Sequence, residues 1–201
     1  MDTGRMDTGR MDAGGSWELL RRVRAFALPF YQHAGRAYHN EQHARAMLLA
    51  LGTRGVLTPA LALAVWGHDL IYDPRAQDNE QRSADAFGAW LAQQGAPDDL
   101  RAEVHALILA TRHTDPPTTC AQALLLDADL GILGAAPPQF AAYDAAIRRE
   151  YAHVPEPAYR AGRRRVLEGF LGRGRLYVTP EFAPLEAQAR ENLEGALALL
   201  R

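Results

Sequence analysis

The residues of this chain whose types and spacing could do chemistry are His39 and His43, the pair His68-Asp69, and Asp127 and Asp129. Imidazole nitrogens and carboxylate oxygens brought from several helices to one point make a site for a divalent cation. His68-Asp69 closes the apolar run from Ala60 to Gly67, so two metal-competent side chains emerge where a buried helix meets the surface. A charge in that place needs a partner or a metal; the alternative is a carboxylate capping a neighbouring helix. His39 and His43 stand at i and i+4 and share one face if both are helical. His43 lies deeper and is followed by Ala46-Met47-Leu48-Leu49, which suits a ligand. His39, in the first turn beside solvent, suits a proton donor, because its pKa lies near working pH. Taken alone, such a pair reads first as one surface histidine and one satisfied core histidine. Asp129 sits beside Leu124-Leu125-Leu126 and Leu130, which implies burial; its plain alternatives are a helix cap or a core ion pair with arginine. The ordered set His43, His68, Asp69 and Asp129 says more than any member.

Further polar residues fall near these. Asp73 follows Asp69 by four, and Asp78-Asn79-Glu80 opens the next helix. The intervening loop can fold Glu80 back towards the cluster. Glu80 then reads as a support for the ligands, a base orienting a water, or a ligand to a second metal. It reads equally as an acidic residue stabilising a helix N-terminus. Arginine forks suit phosphate oxygens. Arg36, just before the histidine block, and Arg112 are the substrate-binding candidates, with Arg148 and Arg149 behind them. The run Arg163-Arg164-Arg165 reads first as a solvated face.

The elements that must position these residues are helical throughout. Apolar residues recur at 3.6-like spacing and no alternating strand is evident. Ser16 can cap a helix to about Gln32, and the next runs from near His39 to Gly52. Thr58-Pro59 has cap and first-turn chemistry for the helix ending at His68-Asp69. Further helices are expected over 79–94, from Asp98 or Asp99 to 112, and over 120–133. Three more follow over 137–152, 158–171 and 184–200. That makes an all-α, irregular bundle of roughly eight or nine helices. The first fifteen residues repeat Met-Asp-Thr-Gly-Arg and have no apolar periodicity. They read as a disordered tail, with Met6 and Met11 as alternative starts, before a single domain over 16–201.

Composition narrows the classes. The 201 residues are 48% hydrophobic, enough for one sizeable core. All 22 basic residues are arginine and the net charge is -2, so no basic field favours a stable nucleic-acid partner. Cys120 is the only cysteine, which suits a reducing cytoplasm. No apolar run approaches the roughly 18 residues needed to span a bilayer.

In their order, His43, then His68-Asp69, then Asp129, these motifs resemble the HD superfamily of metal-dependent phosphohydrolases. The longer pattern, YHNEQH, then WGHDLIYDPRAQDNEQRSA, then LDADLGILG, is similar to a bacterial branch of predicted HD phosphohydrolases, from about Trp17 to the C-terminus. The resemblance implies an HD-type helical fold. It implies one divalent ion rather than two, with manganese, zinc, iron, cobalt, nickel or magnesium as candidates. The ligands would be His43, His68, Asp69 and Asp129. The activity implied is hydrolysis of a small phosphate ester, nucleotide-like, as a phosphomonoesterase or phosphodiesterase, with Asp69, His39 and Glu80 as the catalytic set. The Tyr-His-Asn-x-x-His block also resembles that of cyclic-nucleotide phosphodiesterases, which implies His39 as donor and His43 as ligand. The rest of that pattern is not evident, so a cyclic-nucleotide substrate does not follow. HD relatives with two metals carry extra histidines where this chain has His113, which reads equally as a favourable histidine at a helix C-terminus. Two-iron oxygenases of the superfamily need more histidines than this chain aligns. For guanosine-tetraphosphate hydrolases, Asp78-Asn79-Glu80 is only a loose analogue of the expected Glu-Asp. A metal-stabilised, ligand-sensing module without catalysis is the remaining alternative, against which the intact ligand set argues.

Overall fold

The computed structural model describes residues 13–200, and the tail expected over 1–15 falls almost wholly outside them. Among the described residues there are nine α-helices, two short 3₁₀-helices and no strand. They are α1 Ala13–Tyr31, α2 Glu41–Thr53, α3 Pro59–Gly67, α4 Asn79–Gln93, α5 Asp98–Ala110, α6 Cys120–Asp129, α7 Pro137–Glu150, α8 Glu156–Leu171 and α9 Glu186–Leu199. The all-α bundle expected from periodicity is the architecture found. Among these residues no single helix is long and apolar enough to cross a membrane.

The bundle is organised around α3. Every residue from Ala60 to Gly67 is buried, as an apolar-all-round helix must be in water. Thr58 starts it by accepting from the Leu61 amide, and Pro59 fills the first turn, where its missing N–H removes no bond. Helices α1, α2 and α5 pack against it, with further contacts from α4 and α6. The approach is closest at Gly67, where an added Cβ would stand 2.7 Å from side-chain atoms of Ile108 and Phe87. Helices α4 and α5 form a hairpin that turns at Gly95, whose φ of +73 favours glycine. Helix α9 closes the other end, packed on α8 and on the 3₁₀-helix Leu130–Gly134.

Three boundaries differ from expectation in ways that matter. Helix α2 begins at Glu41, capped by the side chain of Asn40 on the Gln42 amide, so His39 precedes the helix instead of occupying its first turn. Helix α6 ends at Asp129 and the chain tightens into the 3₁₀-helix, so one continuous helix to Leu133 is replaced by two pieces. Pro97, not Asp98 or Asp99, stands at the N-cap of α5, and both acids lie in its first turn.

Candidate functional site

His43 points from the buried face of α2, His68-Asp69 follow the end of α3, and Asp129 ends α6. These three helix segments bring their side chains to one point. The Nε2 atoms of His43 and His68 are 3.3 Å apart. His43 Nε2 lies 3.0 Å from Asp129 Oδ1 and 3.8 Å from Asp69 Oδ2. His68 Nε2 lies 3.0 Å from Asp69 Oδ2 and 3.8 Å from Asp129 Oδ1. A divalent ion with ligands at about 2.0–2.2 Å spaces neighbouring donors roughly 3.0–3.4 Å apart, so the cluster has the size of a coordination shell.

The protonation pattern fits the same reading. Nδ1 of His68 donates to the Val65 carbonyl at 2.8 Å, which leaves the Nε2 of a neutral ring as a bare lone pair. That lone pair faces another imidazole nitrogen and a carboxylate. Oδ2 of Asp69 is buried and has no hydrogen-bond partner among the described residues. Lone pairs gathered around an orphaned carboxylate oxygen repel unless a cation or protons join them. Burial by itself lowers the pKa of His68, but Asp69 and Asp129 outweigh it and carry it to about 9. Burial raises the carboxyls, yet the histidines hold both Asp69 and Asp129 below the usual carboxylate range. His43, His68, Asp69 and Asp129 can therefore hold a divalent metal ion, which would take the place of those protons.

His39 lies beside this group, its ring centroid 6.1 Å from that of His43. Its position is set from elsewhere. Glu150, at the C-terminal end of α7, accepts from Nδ1 of His39 at 2.6 Å and from the amides of Tyr38 and His39 at 2.7 and 3.0 Å. The Tyr72 hydroxyl donates to Glu150 at 2.9 Å, and the Tyr72 ring stacks on His39 at 4.3 Å. Burial would raise Glu150; these bonds hold it down at about 2. Burial would lower His39; Asp69 and Glu150 raise it instead. The outcome is a histidine kept protonated to higher pH, with Nδ1 engaged and Nε2 remaining. Both it and the metal-type cluster open on a cleft of ≈ 930 Å³. Glu150 was not among the residues expected from sequence. The only trace of it there is an acid on the apolar stripe Phe140, Ile147, Glu150 of α7.

The other expected residues separate. Glu80, in the first turn of α4, and Arg112, bonded to Gln81 at 3.2 Å, both line the cleft. Arg36 is placed differently from a phosphate contact. Its guanidinium donates to the carbonyls of His39, Asp69 and Leu70 and lies over the rings of Tyr31 and Tyr72. It braces the turn after α3. Asp129 is less buried than expected, with its side chain 18% exposed. The buried acid of α6 is Asp127, which accepts from Val178 and Thr179 amides and the Thr179 hydroxyl and so anchors the chain before α9. His113 lies beyond α5 with φ of 55, a left-handed backbone unusual for a side-chain-bearing residue, and its Nε2 is 2.9 Å from Asp129 Oδ2. It orients Asp129 by the oxygen that His43 does not face. Asp73 and Asn79 clamp the loop between α3 and α4 through paired backbone bonds.

No protein-family model, curated protein or solved structure matches this chain.

Proposed function

We propose that this protein is a metal-dependent phosphohydrolase of the HD type, acting in the cytoplasm on a small phosphate ester. The observation that carries the reading is the orphaned Oδ2 of Asp69 within 3.8 Å of two imidazole nitrogens. A divalent ion at this point would polarise a phosphoryl oxygen and lower the pKa of water from about 15.7 to about 7. His39 supports catalysis over a purely structural metal. A histidine with one nitrogen fixed on Glu150 and its pKa raised is equipped to protonate a leaving oxygen, worth on the order of 100- to 10,000-fold. Glu80, on the same cleft, can accept a proton from water, and Arg112 can meet phosphate oxygens at the rim.

The test is metal analysis of the purified protein followed by a screen of nucleotides and sugar phosphates. One divalent ion per chain and turnover that vanishes on chelation are expected. His39→Ala should keep the ion and lose most turnover on a poor leaving group, but less on a nitrophenyl ester. An equal loss on both would remove His39 as proton donor.

A further inference from the structure

A second cavity, of ≈ 320 Å³, adjoins the cleft, and His113 and Leu130 line both. Its walls come from the segment after α5, from α6 and from the chain that leaves α8. Its size falls in the range of roughly 300–1,000 Å³ typical of small-molecule sites. Leu126, Leu176 and Val178 give it an apolar side, and Val178 is 48% exposed, an apolar side chain left to water. Two guanidinium groups stand at it, those of Arg173 and Arg175. Among the described residues neither makes an ion pair or a side-chain hydrogen bond; that of Arg173 lies over the Phe170 ring, 4.9 Å from its centre. The acid facing them is Asp115, which accepts from the Thr114 hydroxyl at 3.0 Å. Asp127 also borders the cavity, but its carboxylate is already met by the amides of Val178 and Thr179 and the Thr179 hydroxyl. Two guanidiniums against the one carboxylate of Asp115 leave a single surplus positive charge. His113 stands between the two cavities in a left-handed backbone, φ 55, a conformation that persists only where its surroundings impose it. Its Nε2 is 2.9 Å from Asp129 Oδ2.

The geometry points to a second ligand site in this cavity, for a small monocarboxylate with an apolar body, whose binding strengthens the hold of His113 on Asp129. The carboxylate would take the forks of Arg173 and Arg175, and the apolar body would cover Leu126, Leu176 and Val178. Asp115 sets the limit of one negative charge, since a polyanion would meet its carboxylate. A ligand shifts an equilibrium only by its different affinity for the two states. Here the difference lies in the segment 113–117, which packs on the ligand when His113 is in place. The site does not depend on the chemistry of the cleft; its effect through Asp129 rests on reading the His43–Asp129 group as a metal site.

The experiment is calorimetric titration of the full chain with hexanoate, hexanol and inorganic phosphate, followed by manganese titration with and without saturating hexanoate. Hexanoate should bind about tenfold tighter than hexanol, and inorganic phosphate, which has no apolar body, should not displace it. Arg175→Gln changes an exposed side chain and should weaken hexanoate about tenfold, with manganese affinity in the absence of hexanoate unchanged. Val178→Glu sets a like charge on the apolar side and should abolish hexanoate binding. Hexanoate should tighten manganese about fivefold or more, and manganese should tighten hexanoate by the same factor. In His113→Ala hexanoate should still bind but no longer change manganese affinity. Equal binding of hexanoate and hexanol, or unaltered hexanoate affinity in both cavity variants, would overturn the site. Manganese affinity that hexanoate leaves unchanged in the parent would overturn the coupling. Hexanoate binding by a protein that takes up no manganese would overturn the metal reading and leave the site standing.

Discussion

The carboxylate of Glu150 holds Nδ1 of His39 at 2.6 Å across 111 residues of sequence. The same carboxylate takes the two backbone amides that shape the turn before α2. One side chain thus fixes the ring, its tautomer and the loop that carries it.

Glu150→Gln should separate these roles. The amide can still accept from the backbone, but it no longer pulls the His39 proton on. If His39 is the acid of the proposed reaction it acts only while protonated, so activity would be lost as pH rises through its pKa. In the variant that basic limb should move to lower pH, which a pH–rate profile reads directly; an unmoved limb would disconnect Glu150 from His39. Stability carries a second signature. Glu150 sits at about 2 in the folded protein against 4.5 unperturbed, so its stabilisation is present above pH 4.5 and fades as pH falls towards 2. Urea melts across that window should be less steep in pH for Glu150→Gln than for the parent.

If His43, His68, Asp69 and Asp129 hold an ion only in their folded arrangement, manganese or zinc should raise the melting temperature of the parent protein. Asp129→Ala should lose the metal and the thermal shift together. His113→Ala, which frees only the outer oxygen of Asp129, should weaken the metal about 10- to 100-fold without abolishing it. Full occupancy in Asp129→Ala would break the assignment.

Glu80→Gln keeps the shape of the first turn of α4 and removes a base from the cleft. Turnover should fall about 100-fold with metal content unchanged. A variant with normal turnover and a stability loss of about 0.3–1 kcal/mol would make Glu80 a helix-terminus acid and nothing more.

Arg36→Lys should cost stability, about 1–3 kcal/mol, since an ammonium cannot serve three carbonyls in a fork. Chemical denaturation measures this. Unchanged stability with a raised KM would instead restore Arg36 to the substrate.

The helices were legible because α4 and α5 carry one apolar face each and α3 is a continuous apolar run, and Thr58-Pro59 announces the start of α3 at the residue where it begins. The convergence of His43, His68, Asp69 and Asp129 was legible because they are the polar residues at the inner ends of apolar runs. What escaped depended on tertiary register. His39 was placed on a helix because the i, i+4 spacing looked sufficient, whereas Asn40 caps the chain after it. Burial was assigned to Asp129 from its leucine neighbours, yet those leucines flank Asp127 on the inner face. Arg36 reads as a phosphate contact until the carbonyls of Asp69 and Leu70 are seen to lie across from it. Glu150 escaped because its partners come from α2's approach and the loop after α3, neither of which neighbours it in sequence.

The distance along the chain between Glu150 and the ligand set has a consequence for biosynthesis. Polypeptides leave the ribosome N-terminus first, at roughly 5–20 residues per second. All four cluster residues lie upstream of α7, so the whole candidate ligand group has been synthesised before Glu150 is added. On the proposed reading, the residues that would hold the ion are therefore made before the carboxylate that fixes His39, and the domain then folds them as one unit.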